Sequence, residues 1–214
     1  MHIIMDRKLY IALAIYLTSL IASNTLGLKL MPFLFGTHMS VAAFFFPFVF
    51  LMTDVIAYVY DRRTAKMFVW AGFISTALFL IFNLIANIMP WSESAFWVKG
   101  SFETIFALSI RMSIASLLAF IIAEYQDIVI FFVTQKILKT KSFFVRSTVS
   151  NIWSQLLDTA IFMTVAFAGV YSPKTILLMS LPWWLYKVAM GLAYTPLSYL
   201  GIHLLKTKHE NTSN

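Results

Sequence analysis

The chain has 214 residues, of which 60% are hydrophobic and only 12% are charged, and it contains 21 phenylalanines. This composition lies outside the range of soluble domains and indicates an integral membrane protein. The absence of cysteine excludes disulfides, thiolate metal sites and cysteine nucleophiles. The net charge of +7 does not indicate nucleic-acid binding, because the basic residues form short clusters between apolar runs.

Six segments are apolar over the roughly 20 residues that a helix needs to cross a bilayer. They are residues 9–28, 40–60, 67–89, 104–123, 148–171 and 175–205. The first is interpreted as a retained helix and not as a cleaved signal peptide. The fourth is expected to continue as a tilted or interfacial helix, since the apolar run 128–133 is too short to span. We therefore predict an all-α polytopic membrane protein with one six-helix transmembrane domain, 1–206, and a short polar cytoplasmic tail, 207–214.

The basic residues outside the spans predict the orientation of the helices. Eleven fall on one side of the membrane: Arg7, Lys8, Arg62, Arg63, Lys66, Lys136, Lys139, Lys141, Arg146, Lys206 and Lys208. Three fall on the other: Lys29, Lys99 and Lys174. Because cytoplasmic loops are enriched in lysine and arginine, both termini are expected in the cytoplasm. The segment 91–101 is expected to be an outer loop with interfacial tryptophans.

Several polar residues fall inside the predicted spans, where a bilayer should exclude them. They are Asn24, Asp54, Asn83, Asn87, Arg111, Asn151, Gln155, Asp158 and Lys187. Each ionised group near the membrane centre costs about 2.5–3.5 kcal/mol on insertion scales, so these groups need partners or a wet cavity. Buried salt bridges that hold helices in register are one explanation. The pattern favours a polar cavity for transport or binding, since buried pairs seldom stabilise more than apolar replacements would.

One predicted span carries a polar face. Asn151, Gln155 and Asp158 are separated by four and three residues, which puts their side chains on the same side of a helix. This face is a candidate cavity wall.

Aromatic residues and prolines lie beside the candidate cavity residues. Trp183 and Trp184 stand about one turn before Lys187 and either line the same pocket or form an interfacial belt. Pro47 predicts a kink in the second span, and Pro182 is expected to mark the outer entry of the sixth.

Catalytic and metal-binding patterns are missing from the sequence. The four histidines, at positions 2, 38, 203 and 209, lack the spacing of a metal site. The chain has no glycine-rich phosphate loop and no Ser-His-Asp order. We therefore predict no enzymatic activity, no catalytic residue, no metal and no cofactor.

Four stretches together resemble the queuosine precursor transporter family. They are "ASNTLGLKL", "FPFVFLMTD", "FALSIRMSIASLLAFIIAEYQD" and "STVSNIWSQLLDTAIFMTVAF", followed by Lys187 in the last span. The resemblance implies a bacterial inner-membrane protein whose six-helix fold is similar to the substrate-binding subunits of energy-coupling-factor transporters. It implies 7-cyano-7-deazaguanine and 7-aminomethyl-7-deazaguanine as substrates. The chain departs from the family pattern after Thr53-Asp54, with Tyr58 in place of an acidic residue and Asp61 in place of a glycine.

The implied ligand suits the polar residues of the spans. A deazaguanine presents a ring N–H beside an exocyclic amine, an edge that one carboxylate can accept in bidentate fashion. Asp158 or Asp54 would accept this edge, and Phe46 or a tryptophan would stack on the ring. The candidate substrate-binding residues are Asn24, Asp54, Arg111, Asn151, Gln155, Asp158, Trp183, Trp184 and Lys187.

The sequence leaves three functions open. The first is a carrier that lies in the lipid bilayer and transports a purine-like small molecule. The second is a substrate-capture subunit that needs a separate energy-coupling ATPase module, and the third is a non-transporting membrane scaffold.

Overall fold

A computed structural model describes residues 7–26, 29–32, 38–106 and 110–206. These residues form eight α-helices, one short 3₁₀ helix (Glu93–Ala95) and two strands. The helices are α1 (Arg7–Leu26), α2 (Ala42–Val59), α3 (Arg62–Ile88), α4 (Phe96–Phe106), α5 (Ile110–Ile137), α6 (Phe143–Phe167), α7 (Pro173–Ala193) and α8 (Thr195–Lys206). The predicted polar tail, 207–214, lies outside the described residues.

Four of the described helices are long and apolar enough to cross a membrane: α1, α3, α7 and the 114–137 part of α5. Helix α2 contributes a shorter apolar stretch, Phe44–Val59. Helix α6 has 25 residues, but its many buried polar side chains lower its hydropathy. The prediction of a helical protein with several membrane-spanning segments is confirmed, whereas the number of six spans stays a prediction.

The basic clusters of the sequence meet at one end of the helix bundle, which we call the basic end. Lys8 of α1 donates a hydrogen bond to the Leu204 carbonyl of α8. The ring of Tyr58, near the end of α2, packs edge-on against Phe143 at the start of α6, and the Lys206 amine of α8 lies 4.7 Å from the same ring. These contacts join the starts of α1 and α6 to the ends of α2 and α8. The other end of the bundle is called the distal end.

The apolar core lies mainly toward the basic end. Its most buried side chains include Tyr16 of α1, Phe50 of α2, Phe68 of α3 and Phe131 of α5, each at most 2% exposed. Rings from four helices thus fill the space between them, as close packing of a protein interior requires. The half of the bundle nearer the distal end is left with room for a cavity.

The segment 91–101, expected to be an outer loop, is mostly helical. It contains the 3₁₀ turn and the first part of α4, whose 11 residues are too few to span a bilayer. The amide of Asn83 in α3 donates to the Phe106 carbonyl at the end of α4 over 2.6 Å, and Asn87 donates to the same oxygen over 3.3 Å. The two asparagines therefore satisfy an orphan helix-end carbonyl.

The predicted start of the fourth span, at residue 104, was wrong, whereas the expected continuation of its helix beyond residue 123 is confirmed. Residue 104 belongs to α4, and the next helix begins at Ile110 and runs without a break to Ile137. Glu124 and Asp127, expected beyond the end of the span, lie inside α5 and are fully buried. Their charge made the sequence look like a membrane edge, but neighbouring helices cover them.

Pro47, Pro182 and Pro196 lie within the described helices. The sixth predicted span divides into α7 and α8 at Tyr194, because Pro196 removes a backbone donor and clashes with the carbonyl one turn earlier. Pro182, expected at the entry of that span, lies inside α7. Pro47 lies inside α2, as expected.

A small sheet departs from the all-α expectation. Strands β1 (Leu30–Pro32) and β2 (His38–Ser40) pair antiparallel between α1 and α2, with Met31 opposite Met39. The sheet joins these two helices at the distal end.

The two positions that depart from the family pattern have structural roles at the basic end. The Asp61 carboxylate caps α3 by accepting the backbone N–H of Thr64 over 2.6 Å, and this bond lowers the pKa of Asp61. Tyr58 packs edge-on against Phe143, and the Arg146 guanidinium lies 5.6 Å from the centre of its ring.

We predict that Gly72 is required for the contact of α3 with α1 and α5. A Cβ at this position would lie 2.8 Å from the Tyr16 hydroxyl and 3.0 Å from Phe120 Cζ. Gly72→Val should therefore destabilise the protein by about 1–3 kcal/mol, or roughly 3–9 °C in Tm. The measurement is thermal unfolding in detergent. Gly100→Val is the matched control, since no atom of the described residues would lie within 4 Å of a Cβ at that position, and equal Tm values for the two variants would contradict the prediction.

Candidate functional site

A cavity of about 420 Å³ lies among α1, α2, α3, α5, α6 and α7. Its lining includes Asn24 near the end of α1, Ala42 at the start of α2 and Phe167 at the end of α6. All three positions belong to the distal end of the bundle. The volume lies in the range typical of small-molecule sites.

The polar wall of the cavity comes from α6. Asn151, Gln155 and Asp158 all line the cavity, and each is at most 7% exposed. Their spacing of four and three residues puts them on one face of the helix. Gly191 of α7 allows close packing there, since a Cβ at that position would lie 3.0 Å from the Asn151 Oδ1.

An ion pair crosses the cavity wall between α6 and α7. The Lys187 Nζ lies 2.5 Å from the Asp158 Oδ2, and the two side chains are 25% and 9% exposed. The same amine lies 5.3 Å from the centre of the Phe46 ring of α2, a cation–π distance. The pair thus ties three helices together and leaves one carboxylate oxygen of Asp158 outside the salt bridge.

Several polar oxygens of the lining have no hydrogen-bond partner among the described residues. They are Asn151 Oδ1, Gln155 Oε1, Thr159 Oγ1 and Thr76 Oγ1. A buried polar atom without a partner costs about 1–3 kcal/mol, so such atoms are rare in folded proteins and need an explanation. Because all four oxygens face one cavity, water or a polar solute in that cavity would complete their hydrogen bonds.

The remaining walls are apolar and aromatic. Phe46 and Pro47 of α2, Phe120 of α5 and Phe162 of α6 contribute flat or bulky surfaces, and Trp183 of α7 contributes an indole. A site that combines such walls with a few convergent polar groups favours a flat, partly polar molecule.

Six of the nine candidate residues from the sequence line this one cavity: Asn24, Asn151, Gln155, Asp158, Trp183 and Lys187. Trp184 lies elsewhere, because its indole N–H donates to the Ile152 carbonyl over 3.0 Å and it lines a groove between α6 and α7. The side chain of Arg111 lies outside the described part of the structure.

Asp54 does not line the cavity and belongs to a second polar group nearer the basic end. Its carboxylate accepts hydrogen bonds from Ser147 and from Ser150, the latter over 3.5 Å. The neighbouring Asp127 of α5 accepts from Ser154 over 2.8 Å. Together with Glu124 of α5, these two acids form what we call the carboxyl cluster.

Glu124 and Asp127 are not among the substrate-binding residues predicted from the sequence. Their spacing of three residues within an apolar helix was a usable signal, because it puts both acids on one helix face. Thr76 and Thr159 of the cavity carried no such signal, since hydroxyl side chains are common in membrane helices and often bond their own backbone.

The described residues contain no group of three acidic or histidine side chains arranged to hold a metal ion. The cavity offers amide and hydroxyl oxygens, one ion pair and aromatic walls, which are groups that bind and orient a solute. Several long apolar helices packed around a partly polar interior are typical of a multi-pass membrane protein.

Comparison with known proteins agrees with this class. Residues 40–201 match the family model described as "Putative vitamin uptake transporter". The chain is 32% identical to a "Probable queuosine precursor transporter" of Bacillus subtilis over 78% of this chain and 72% of that protein. It is 24% identical to the "Queuosine precursor transporter" of Escherichia coli over 72% of this chain and 67% of that protein.

A further relative in Haemophilus influenzae, also named "Probable queuosine precursor transporter", is 25% identical over 62% of this chain and 54% of that protein. No solved structure is significantly similar to the chain. The chain belongs to the vitamin uptake transporter family, which is a family of transporters and not of enzymes.

The ion pair provides a test of the site's packing. Lys187→Met leaves the buried Asp158 carboxylate without its counter-ion, so we expect a loss approaching the ~3 kcal/mol seen when a buried pair is broken. Asp158→Asn combined with Lys187→Met removes both charges and should recover part of the lost Tm, measured by thermal unfolding in detergent.

The exposed Lys99–Glu103 pair supplies the control. Its atoms are 3.9 Å apart and its side chains 45% and 48% exposed, so Lys99→Met should change stability by at most about 1 kcal/mol. Additive losses from the two cavity substitutions would show that the charges are not coupled.

Proposed function

We propose that this transporter imports a queuosine precursor, 7-cyano-7-deazaguanine or 7-aminomethyl-7-deazaguanine, through the cavity. The observation that carries the proposal is the set of unpartnered buried oxygens beside the Asp158–Lys187 pair. The printed names of the relatives in B. subtilis, H. influenzae and E. coli support the same substrate class.

The polar face of α6 matches the edge of a deazaguanine. The ring N–H and the exocyclic amine form a two-donor edge, and Asp158 together with the Gln155 Oε1 supplies acceptors for it. Lys187 supplies a donor for the ring carbonyl. Asn24 and Asn151 can bind the remaining ring nitrogens, since an amide side chain both donates and accepts.

The aromatic walls suit the faces of the base. In this proposal the bicyclic ring lies against Phe46 or Trp183, both of which line the cavity. Stacking of a base on an aromatic side chain contributes about 1–3 kcal/mol in nucleic-acid complexes. The polar wall would then select the purine-like edge, and the apolar walls would exclude water.

The proposed topology has six crossings, with α7 and α8 together forming the last. The excess of basic residues at the basic end supports a cytoplasmic position for that end and for both termini. The cavity would accordingly face the outer side of a bacterial inner membrane, where an imported base arrives. Arg111 remains a further proposed contact on α5, and Asp54 is proposed to act from the carboxyl cluster.

Asp158→Asn tests the substrate assignment. The exchange keeps the shape of the side chain but removes the charge that accepts the donor edge, a bond worth about 1.5–3 kcal/mol. We expect uptake to fall at least ~10-fold. The measurement is the queuosine content of tRNA in a strain that can neither synthesise nor import deazaguanines, complemented with each variant and supplied with each base.

Glu103→Gln is the control for this experiment, because Glu103 is exposed in α4 and does not line the cavity. Its uptake should equal that of the wild type at equal membrane protein level. Normal uptake by Asp158→Asn would refute the assignment of Asp158, and failure of the wild type with every base would refute the substrate.

The same strain separates the other candidate functions. A substrate-capture subunit would support uptake only when an energy-coupling ATPase module is present, so a host without such a module shows whether the chain acts alone. A scaffold would take up no base in either host.

A further inference from the structure

The carboxyl cluster of Asp54, Glu124 and Asp127 lies in the interior of the bundle. The three side chains are 1%, 0% and 0% exposed, respectively, and come from α2 and α5. They face α6, whose serines contact two of them. Isolated ionised carboxylates are very costly in a medium of low dielectric constant, so the cluster needs counter-ions or protons.

The described surroundings supply too little positive charge. Arg146 of α6 is the cation that interacts with Asp54, and its guanidinium also stacks 3.9 Å from the Phe131 ring and donates to the Phe131 carbonyl over 3.3 Å. Lys187 is paired with Asp158. Three carboxyls therefore share one guanidinium among the described residues.

Two of the acids bind successive serines of α6. Asp54 accepts hydrogen bonds from Ser147 and Ser150, and Asp127 accepts one from Ser154, one turn further along the same helix face. Two ionised carboxylates held on one helix face in a medium of low dielectric constant repel each other, so a proton on one of them stabilises the cluster.

The carboxyl of Glu124 lies beside the Thr53 hydroxyl. Both of its carboxylate oxygens lack a hydrogen-bond partner among the described residues. The adjacent Thr53 hydroxyl donates instead to the Phe50 carbonyl, over 2.8 Å. A protonated carboxyl fits this environment better than an ionised one.

Helix α1 places a polar group without a hydrogen-bond partner near the cluster. The Tyr16 hydroxyl of α1 is fully buried, has no hydrogen-bond partner in the described part of the chain, and lies near enough to Glu124 to interact with it electrostatically. A hydroxyl can donate and accept at once, so it is able to pass a proton to or from a carboxyl.

The cluster is connected to the substrate cavity through α5 and α6. Phe120 of α5 lines the cavity, and Glu124 follows it by one helical turn. Ser154, which donates to Asp127, lies next to Gln155 in the chain, and Gln155 lines the cavity. Polar groups thus extend from the cavity toward the basic end.

We propose that Asp54, Glu124 and Asp127 form a proton-binding site that couples import of the substrate to entry of protons. The proposal rests on the transport function described above. A proton that enters through the cavity forms one carboxyl O–H bond in the cluster, and this bond breaks when the proton leaves at the basic end. No oxidant, reductant or metal takes part.

The groups that face the cluster define its response to pH. They are Tyr16 from α1, Arg146 and Asp158 from α6, and the cluster's own acids from α2 and α5. Serine hydroxyls donate to Asp54 and Asp127, which orients both carboxyls toward α6. A proton needs one carboxyl oxygen and no coordination shell, and we therefore take the proton as the coupling ion.

The test uses the full-length purified protein in sodium-free proteoliposomes with labelled 7-cyano-7-deazaguanine. An acidic exterior one pH unit below the interior should drive accumulation of up to about tenfold per coupled proton, and a protonophore should abolish it. Glu124→Gln should lose this gradient-driven accumulation while retaining exchange of labelled for unlabelled base without a gradient. Glu103→Gln, an exposed control, should behave as the wild type.

The exchange assay separates this proposal from the transport function itself. Absence of exchange in the wild type would refute transport of this base. Exchange without accumulation under the pH gradient, or accumulation driven by sodium alone, would overturn proton coupling. If Glu124→Gln fails to fold, Asp127→Asn serves as the second variant, and full accumulation by any variant that exchanges normally also overturns the proposal.

Discussion

Buried charge in an apolar bundle must be compensated within the bundle, and this constraint shapes the whole polar interior of the protein. Lipid tails offer no hydrogen bonds and little dielectric screening, so each ionised side chain needs a partner from another helix. The Asp158–Lys187 ion pair meets this need between α6 and α7, with Phe46 of α2 beside it. The polar face of helix α6 therefore turns toward the interior of the bundle, where its polar side chains find partners.

The sequence allowed the polar face of α6 to be predicted because the relevant spacing lies within one helix. Asn151, Gln155 and Asp158 repeat at a helical period, and the cavity contains all three. The assignment of partners between helices was harder, since it depends on which helices become neighbours. Asp54 was grouped with Asp158 because both acids lie inside predicted spans, whereas α2 places Asp54 in the carboxyl cluster, where it accepts a hydrogen bond from Ser147.

Helix boundaries were least predictable where hydropathy and packing conflict. Glu124 and Asp127 lowered the hydropathy of α5 and suggested a membrane edge, yet both are fully buried. Segment 91–101 looked like a loop because it is polar and rich in tryptophan, although much of it is helical. The break near Pro196 follows from the missing backbone N–H and the ring of proline. Only the structure shows that this break separates two helices, α7 and α8.

In the proposed mechanism the two polar sites of the transporter have different roles. The cavity offers unpartnered oxygens and aromatic walls to a base, and the carboxyl cluster offers exchangeable protons one helical turn away. A scaffold would need neither the cavity nor a second group of buried acids. Membership of a transporter family agrees with a solute-binding interior.

The most direct measurement is an experimental structure of the purified protein with bound 7-aminomethyl-7-deazaguanine. The account predicts density for the base in the cavity, with its donor edge within about 3 Å of Asp158 and Gln155 and a ring face against Phe46 or Trp183. A base bound outside this cavity, or bound with its donor edge turned away from α6, would contradict the central claim.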